Sequence, residues 1–188
     1  MRRMLEAVAV ALPIKTMYGV FRAIYSARGL RKLEFPSPRT NSLLNHPRSL
    51  GTRIAIRGQA IKWHRMTTRA LLDALAGRSP RRLPPLDIAA ATHFQKMVWA
   101  ALRAIPPGCT RTYGEIARAI GKPGAARAVG AACKANPIPV LIPCHRVVAS
   151  RGKLGGFTAG LFWKKILLAC EQPQRSKTAR NTSHLSPD

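Results

Sequence analysis

Three adjacent residues, Cys144, His145 and Arg146, bring a thiol, an imidazole and a guanidinium into one short stretch. A thiol is a strong nucleophile only as its thiolate, and a neighbouring base or cation makes that form easier to reach. The surrounding segment, NPIPVLIPCHRVV from Asn136 to Val148, carries prolines at positions 137, 139 and 143. Proline removes backbone freedom, which suits a side chain that must be held in one place. On an extended backbone, sequence neighbours point to opposite faces, so His145 is expected to reach the thiol through a water. The same three residues also fit a plainer role: a buried structural cysteine beside a hydrogen-bonded histidine.

The elements that must position this segment are helical. Thr92 and Gln95 form a T-x-x-Q capping box, and Phe94, Val98, Ala101, Leu102 and Ile105 then recur at helical spacing until Pro106-Pro107-Gly108. Thr112 and Glu115 form a second box that opens a helix over Tyr113–Ile120, closed by Gly121. Pro123 is expected near the first helical position of the next segment, Ala125 to Lys134. Two short helices joined by a tight, glycine-containing turn predict a helix-turn-helix. The second of them presents Ala125, Ala126, Ala128, Gly130 and Ala131, with Arg127 alone reaching out. Such a face suits close approach to a narrow groove with one arginine inserted into a base stack, or close packing of two helices. Leu161 to Glu171 reads as a final amphipathic helix.

The first half reads differently. Ile14 to Phe35 alternates like a small antiparallel sheet, with a tight turn at Ala27-Arg28-Gly29 and a stop at Pro36 and Pro38. Thr40 to Ser49 is loop-like, Arg53 to Arg57 is expected as a short strand, and Lys62 to Ala76 as a helix. Leu71, Leu72 and Leu75 form the apolar stripe of that helix, and Gly77 caps it. Ser79 to Pro85, with three prolines and three arginines, has linker composition. The fold class is therefore α+β: a small N-terminal antiparallel sheet with a helix, then a mainly helical domain containing the helix-turn-helix and Cys144. The boundaries are a disordered start at 1–13, domains at 14–86 and 87–171, and a disordered tail at 172–188.

Across the 188 residues, 32 Lys and Arg face 7 Asp and Glu, a net charge of +25. That excess attracts polyanions, nucleic acid first and an anionic membrane surface second. The four cysteines, Cys109, Cys133, Cys144 and Cys170, contain no CxxC pair, and together with His145 they match no zinc spacing. Neither metal nor cofactor is expected, and a reduced, cytoplasmic setting fits. The opening MRRMLEAVAVALP imitates a secretory leader, but Glu6 interrupts it and Pro13 ends it. It is too short to cross a bilayer, so no membrane association is expected.

NPIPVLIPCHRVV resembles the active-site signature of the O6-alkylguanine-DNA alkyltransferases, the methylated-DNA–protein-cysteine methyltransferases. THFQKMVWAALRAIPPG, TYGEIARAIGKPGAARAVG and LGGFTAGLFWKKILLACE resemble the family's flanking helices and closing loop, and TMYGVFRAIYSARGL more distantly its N-terminal hairpin. The resemblance covers about residues 14–171. It implies a ribonuclease H-like N-terminal domain and a monomer acting on double-stranded DNA that carries an alkylated base. It also implies irreversible transfer of the alkyl group from O6-alkylguanine, and from O4-alkylthymine, to the protein's own cysteine.

The roles it implies are these. Cys144 accepts the alkyl group; His145 deprotonates it through a water; Glu171 orients His145; Asn136 holds the turn presenting the active-site strand. Tyr113 assists base flipping, and Arg127 fills the vacated stack from the face of Ala125, Ala126 and Gly130. The backbone of Cys144 and Val147 reads the guanine edge, Thr158 contacts O6, and Phe157 and Arg146 complete the substrate and DNA contacts. Phe157 stands where many members have Tyr, and Thr158 where Ser or Gly is common. Cys109 has no role in this reading, and Asn41 to Gly58 matches nothing. Two alternatives keep their place at this stage: a DNA-binding sensor of alkylated bases that transfers nothing, and a Cys-His thiol hydrolase, which needs an oxyanion hole.

Overall fold

The computed structural model describes residues 9–37 and 54–172. Strands β1 (Val10–Thr16), β2 (Gly19–Ser26) and β3 (Gly29–Glu34) form an antiparallel sheet in the order β1-β2-β3. The alternation read from sequence places Phe21, Ala23 and Tyr25 of β2 in the core. Val10 to Pro13, expected in a disordered start, instead pair with Arg22 to Tyr25. β1 is an edge strand, where a proline inside the strand is tolerated. Residues 1–8 lie outside the described residues, as do the loop expected at Thr40 to Ser49, Pro38 and residues 173–188 of the expected tail.

Helix α1 spans Ile54–Leu75, so the strand expected at Arg53 to Arg57 is corrected: from Ile54 that run is helix. In the five residues RIAIR, Ile alternates with Arg and Ala, which fits either period, and only the longer helical pattern decides between them. The buried stripe comprises Ala60, Trp63, Thr67, Ala70, Leu71, Ala74 and Leu75, whereas Leu72, expected within it, is exposed.

Gly77 does cap the helix. It takes φ +71°, Gly77 N–H donates to Ala74 O (3.0 Å) and Arg78 N–H to Asp73 O (2.9 Å), the paired bonds of a Schellman ending. A Cβ at Gly77 would lie 2.1 Å from the Cys170 carbonyl, so this glycine also permits the close approach of the C-terminal helix. Gly77→Ala should therefore cost about 2 kcal/mol or more, lowering the melting temperature by roughly 4–8 °C. Gly121→Ala, at φ +69° with nothing within 4 Å, should lose less; equal losses in thermal denaturation would remove the helix contact as the cause.

The second half contains α2 (His93–Arg103), β4 (Arg111–Thr112), α3 (Tyr113–Ala119), α4 (Ala126–Lys134), β5 (Val147–Val148) and α5 (Leu161–Glu171). Both capping boxes form as read. Pro123 sits in the turn before α4 and not in its first helical turn; Ala125 is the N-cap and makes no side-chain capping bond. Trp99 Nε1–H donates to Ala132 O (2.9 Å), fixing α2 against α4.

Hydrogen bonds join the sheet to the rest of the chain. Leu30 N–H donates to Pro85 O (2.8 Å) and Asp87 N–H to Leu30 O (2.8 Å), so the end of the proline-rich connection lies along β3. Further along β3, Leu33 N–H donates to Pro137 O (2.9 Å), within the NPIPVLIPCHRVV segment itself. An aromatic cluster continues the contact: Phe35 lies 4.8 Å from Trp163 and 5.8 Å from Phe157, ring centre to ring centre. The five acids among the described residues are all engaged. Glu34 pairs with Arg22 and Lys32, Asp73 with Arg69 and Arg78, and Asp87 with Arg28; Glu115 caps α3, and Glu171 is bound in the site below. Few acids remain to offset the cationic surface.

Candidate active site

The segment from Asn136 to Pro143 is a tight loop tied by one side chain. Asn136 Oδ1 accepts Ile138 N–H (3.0 Å), while its amide donates to Ile142 O (2.8 Å) and to Cys144 Sγ (3.2 Å). Val140 within the loop has φ +73°. A β-branched residue in that region is strained by about 1–3 kcal/mol, which flanking structure must hold in place. Pro139 and Ile142 bridge across it, and Ile142 N–H donates to Ile138 O (2.9 Å).

Cys144–Arg146 form one 3-10 turn, so the extended active-site strand expected from the sequence is corrected. The turn buries all three side chains. His145 Nε2 lies 2.9 Å from Glu171 Oε1. Hydrogen bonds from His145 and Arg146 outweigh burial at Glu171 and hold its carboxyl down to about 2. The ionised carboxylate accepts, so Nε2 carries the imidazole proton and Nδ1 bears the lone pair. Among the described residues, His145 Nδ1 is a buried polar atom with no hydrogen-bond partner. Burial lowers the pKa of His145 below its ordinary value despite Glu171, keeping the ring neutral. Burial raises the Cys144 thiol, while the Asn136 amide and the Lys164 charge pull it the other way. The resting sulfur is therefore a thiol beside an unprotonated base.

Arg146, expected to contact DNA, is corrected to an internal clamp. It is buried, its Nε and Nη2 donate to Glu171 (2.7–3.0 Å), and Nη1 donates to Ile105 O (2.5 Å). Gly108 N–H adds a further donor to Glu171 Oε2 (3.2 Å). Lys164 was not singled out by sequence. Its fully buried ammonium donates to the carbonyls of Val147 (2.6 Å), Leu154 and Gly156 (3.3 Å), fastening α5 to β5 and to the loop before Phe157. The signal was available as a lysine inside an apolar helix, LFWKKILLA, but Lys165 beside it offered the same signal.

Cys144 lines two cavities. One, about 530 Å³, opens toward α3 and α4 and is walled by Tyr113, Gly130, Cys133, Phe157 and Thr158. The other, about 610 Å³, opens toward the sheet between Phe35, Pro137, Pro139 and Phe157, with Arg22, Lys32 and Glu34 beyond. Tyr113 packs over Gly130 and Gly155, where a Cβ would meet its ring or hydroxyl. Burial raises its pKa, so it remains a phenol able to donate. Phe157 stands edge-on to His145, 6.5 Å between ring centres. The Thr158 hydroxyl donates to Lys134 O (3.2 Å) and so ties the closing loop to the end of α4. Val147 N–H donates to Cys144 O, and its own carbonyl accepts Lys164. Ala125 and Ala126 are half-buried at the start of α4, and Arg127 is exposed beside them. Cys144 N–H donates to Ile142 O (2.8 Å), which occupies the amide that an acyl-transfer oxyanion hole would need.

Such a site defines a thiol nucleophile served by an oriented neutral imidazole, placed behind a helix-turn-helix. Comparison with known proteins agrees. Residues 93–173 match the family model described as 6-O-methylguanine DNA methyltransferase, DNA binding domain. A methylated-DNA–protein-cysteine methyltransferase of Methanosarcina acetivorans is 58% identical over 80 residues, which is 43% of this chain and 51% of the relative. The chain thus spans about half the length of this curated relative. A crystal structure of Mycobacterium tuberculosis OGT in complex with DNA superposes with a TM-score of 0.65 at 34% identity, covering 85% of this chain and 90% of that one. The O6-methylguanine-DNA methyltransferase of Pyrococcus kodakaraensis superposes with a TM-score of 0.60 at 26% identity, covering 87% and 99%. The chain belongs to the O6-methylguanine-DNA methyltransferase family.

Proposed function

We propose that this protein repairs double-stranded DNA by taking the alkyl group of O6-alkylguanine, and of O4-alkylthymine, onto Cys144, once per molecule. The observation that carries this reading is the oriented base: Glu171, held ionised by Arg146, fixes His145 with its Nδ1 lone pair unused, and the buried Cys144 thiol precedes it in the chain. A target atom buried in a duplex requires the nucleotide to be flipped out. The cavity beside Tyr113 and Gly130 receives the base. His145 Nδ1 draws the Cys144 proton through a water. Sulfur attacks the alkyl carbon, the bond from carbon to O6 breaks, and guanine leaves, its charge quenched by a proton from Tyr113. The product is a thioether. None of these groups hydrolyses a carbon–sulfur bond, so the protein stops after one transfer. It acts as a monomer in the cytoplasm.

The test is intact-protein mass after mixing with a duplex holding one O6-methylguanine, followed by peptide mapping. One methyl increment on the Cys144 peptide, ending at one per protein, supports the reading. Bound duplex with no increment would leave a sensor of alkylated bases instead.

Arg127 is the residue that enters the stack. Unstacking costs a few kcal/mol, so Arg127→Ala should slow transfer from duplex by about 10–100-fold. Reaction with free O6-methylguanine base should be unchanged; equal losses on both substrates would rule out the stacking role.

A further inference from the structure

The mechanism above uses one thiol, yet the 530 Å³ cavity is walled by two, Cys133 and Cys144. Cys133 occupies the last turn of α4, and its carbonyl accepts Asn136 N–H (3.3 Å). The Asn136 amide donates in turn to Cys144 Sγ (3.2 Å), so a single residue spans from one cysteine's backbone to the other's sulfur. Both thiols are free and buried. The Lys164 ammonium favours the thiolate form of each, and a Cys144 thiolate disfavours that of Cys133. Cys109 is exposed, and Cys170 is engaged by the Tyr18 hydroxyl (3.2 Å).

We propose that Cys133 is a resolving cysteine: when a hydroperoxide oxidises Cys144, the two close a reversible disulfide that suspends alkyl acceptance and spares the nucleophile from irreversible oxidation. In the first step Cys144 sulfur attacks the peroxide, the O–O bond breaks, the sulfur is oxidised by two electrons to a sulfenic acid, and water or an alcohol departs. In the second step Cys133 sulfur attacks that sulfenic sulfur. The S–S bond forms, and hydroxide leaves with the Cys133 proton as water. Burial holds the Cys133 thiol up at about 12, so at neutral pH it waits as a thiol until an electrophilic sulfur appears in the same cavity. Confinement in one cavity favours the internal partner over solution thiols.

The experiment treats the full chain with hydrogen peroxide in the absence of DNA and reads intact mass and non-reduced peptide maps. The expected product is about 2 Da lighter, with the Cys133 and Cys144 peptides cross-linked. Dithiothreitol should return most of the methyl acceptance. Cys133→Ser should instead gain about 32 Da on Cys144, the sulfinic acid, and recover less than about a tenth of its own untreated acceptance. Wild-type sulfinic acid formed as fast as in Cys133→Ser, a link from Cys144 to Cys109 or Cys170, or an inert Cys144 would each overturn the proposal. The wild-type map decides even where the variant folds poorly. Because the oxidation and the mapping use no DNA, and untreated protein is scored for acceptance separately, failure of the cross-link leaves the transfer reaction untouched.

Discussion

Cys144→Ala should retain duplex binding to within about threefold while methyl transfer falls to nothing measurable, since the attacking sulfur is removed. The thiol is the only nucleophilic sulfur touched by the Asn136 amide (3.2 Å) and adjacent in chain to the oriented His145. On the proposed reading, base flipping and stacking belong instead to α3 and α4, whose Tyr113 and Arg127 the substitution leaves in place. Cys144→Ser is the sharper variant. It keeps a hydrogen-bonding atom at the same position but replaces the thiol with a hydroxyl whose ionisation lies far higher, so it too should be inactive. Gel-shift or anisotropy titration paired with mass spectrometry checks both halves. Transfer surviving in either variant would move the acceptor elsewhere, and loss of binding would mean that Cys144 also supports the fold of the DNA-contacting helices.

Arg146→Ala should destabilise the protein by about 3–5 kcal/mol and disable transfer, because it leaves the buried Glu171 carboxylate without its bidentate partner. The Arg146 and Glu171 side chains are 7% and 2% exposed, so water cannot replace the lost bonds without opening the core. Arg146→Lys should recover only part of the loss, since an ammonium keeps the charge but not the planar fork.

Acid titration supplies an independent reading. Glu171 is held down at about 2 from an ordinary 4.5. A group with a depressed pKa contributes stability above its unfolded value and loses it as pH falls toward the folded one. The wild type should therefore lose on the order of 3 kcal/mol between pH 4.5 and 2 from this carboxyl. Arg146→Ala should start lower and fall less steeply over that window. Denaturant unfolding at stepped pH measures both slopes. Parallel slopes would show that Arg146 does not hold Glu171 ionised, and would detach it from the orientation of His145.

The aromatic and hydrogen-bond links from the sheet give the N-terminal half a part in the site. Leu33 N–H holds Pro137 O (2.9 Å), and Phe35 stands against Phe157 (5.8 Å), whose ring in turn faces His145 (6.5 Å). The strained Val140 lies three residues beyond Pro137 in the same loop. Packing from outside the loop is what such a backbone requires to persist.

Much of this was legible in the sequence because the interactions are local. A capping box needs only residues i and i+3, so Thr92 with Gln95 and Thr112 with Glu115 announced two helix starts that the structure reproduces. Gly77 announced the end of α1 by the same logic, and Cys144 and His145 stood out through proximity in the chain, whereas Asn136 came from the family resemblance alone.

Tertiary structure decided the rest, because a charged side chain's place depends on a partner far away in sequence. On α5 the buried face is Lys164, Leu167 and Glu171, while Phe162 is 71% exposed, the reverse of what polarity alone suggests. Lys164 goes inside because the carbonyls of Val147, Leu154 and Gly156 solvate it, and Glu171 because His145 and Arg146 do. Arg146 reads as a DNA contact until Glu171, 25 residues on, is brought beside it. Cys133 is an ordinary helix residue until the fold sets it on the same cavity as Cys144. Adjacency in the sequence marked a candidate nucleophile and base, and the family resemblance assigned their roles; only the long-range packing could supply the counter-charges that make burying them affordable.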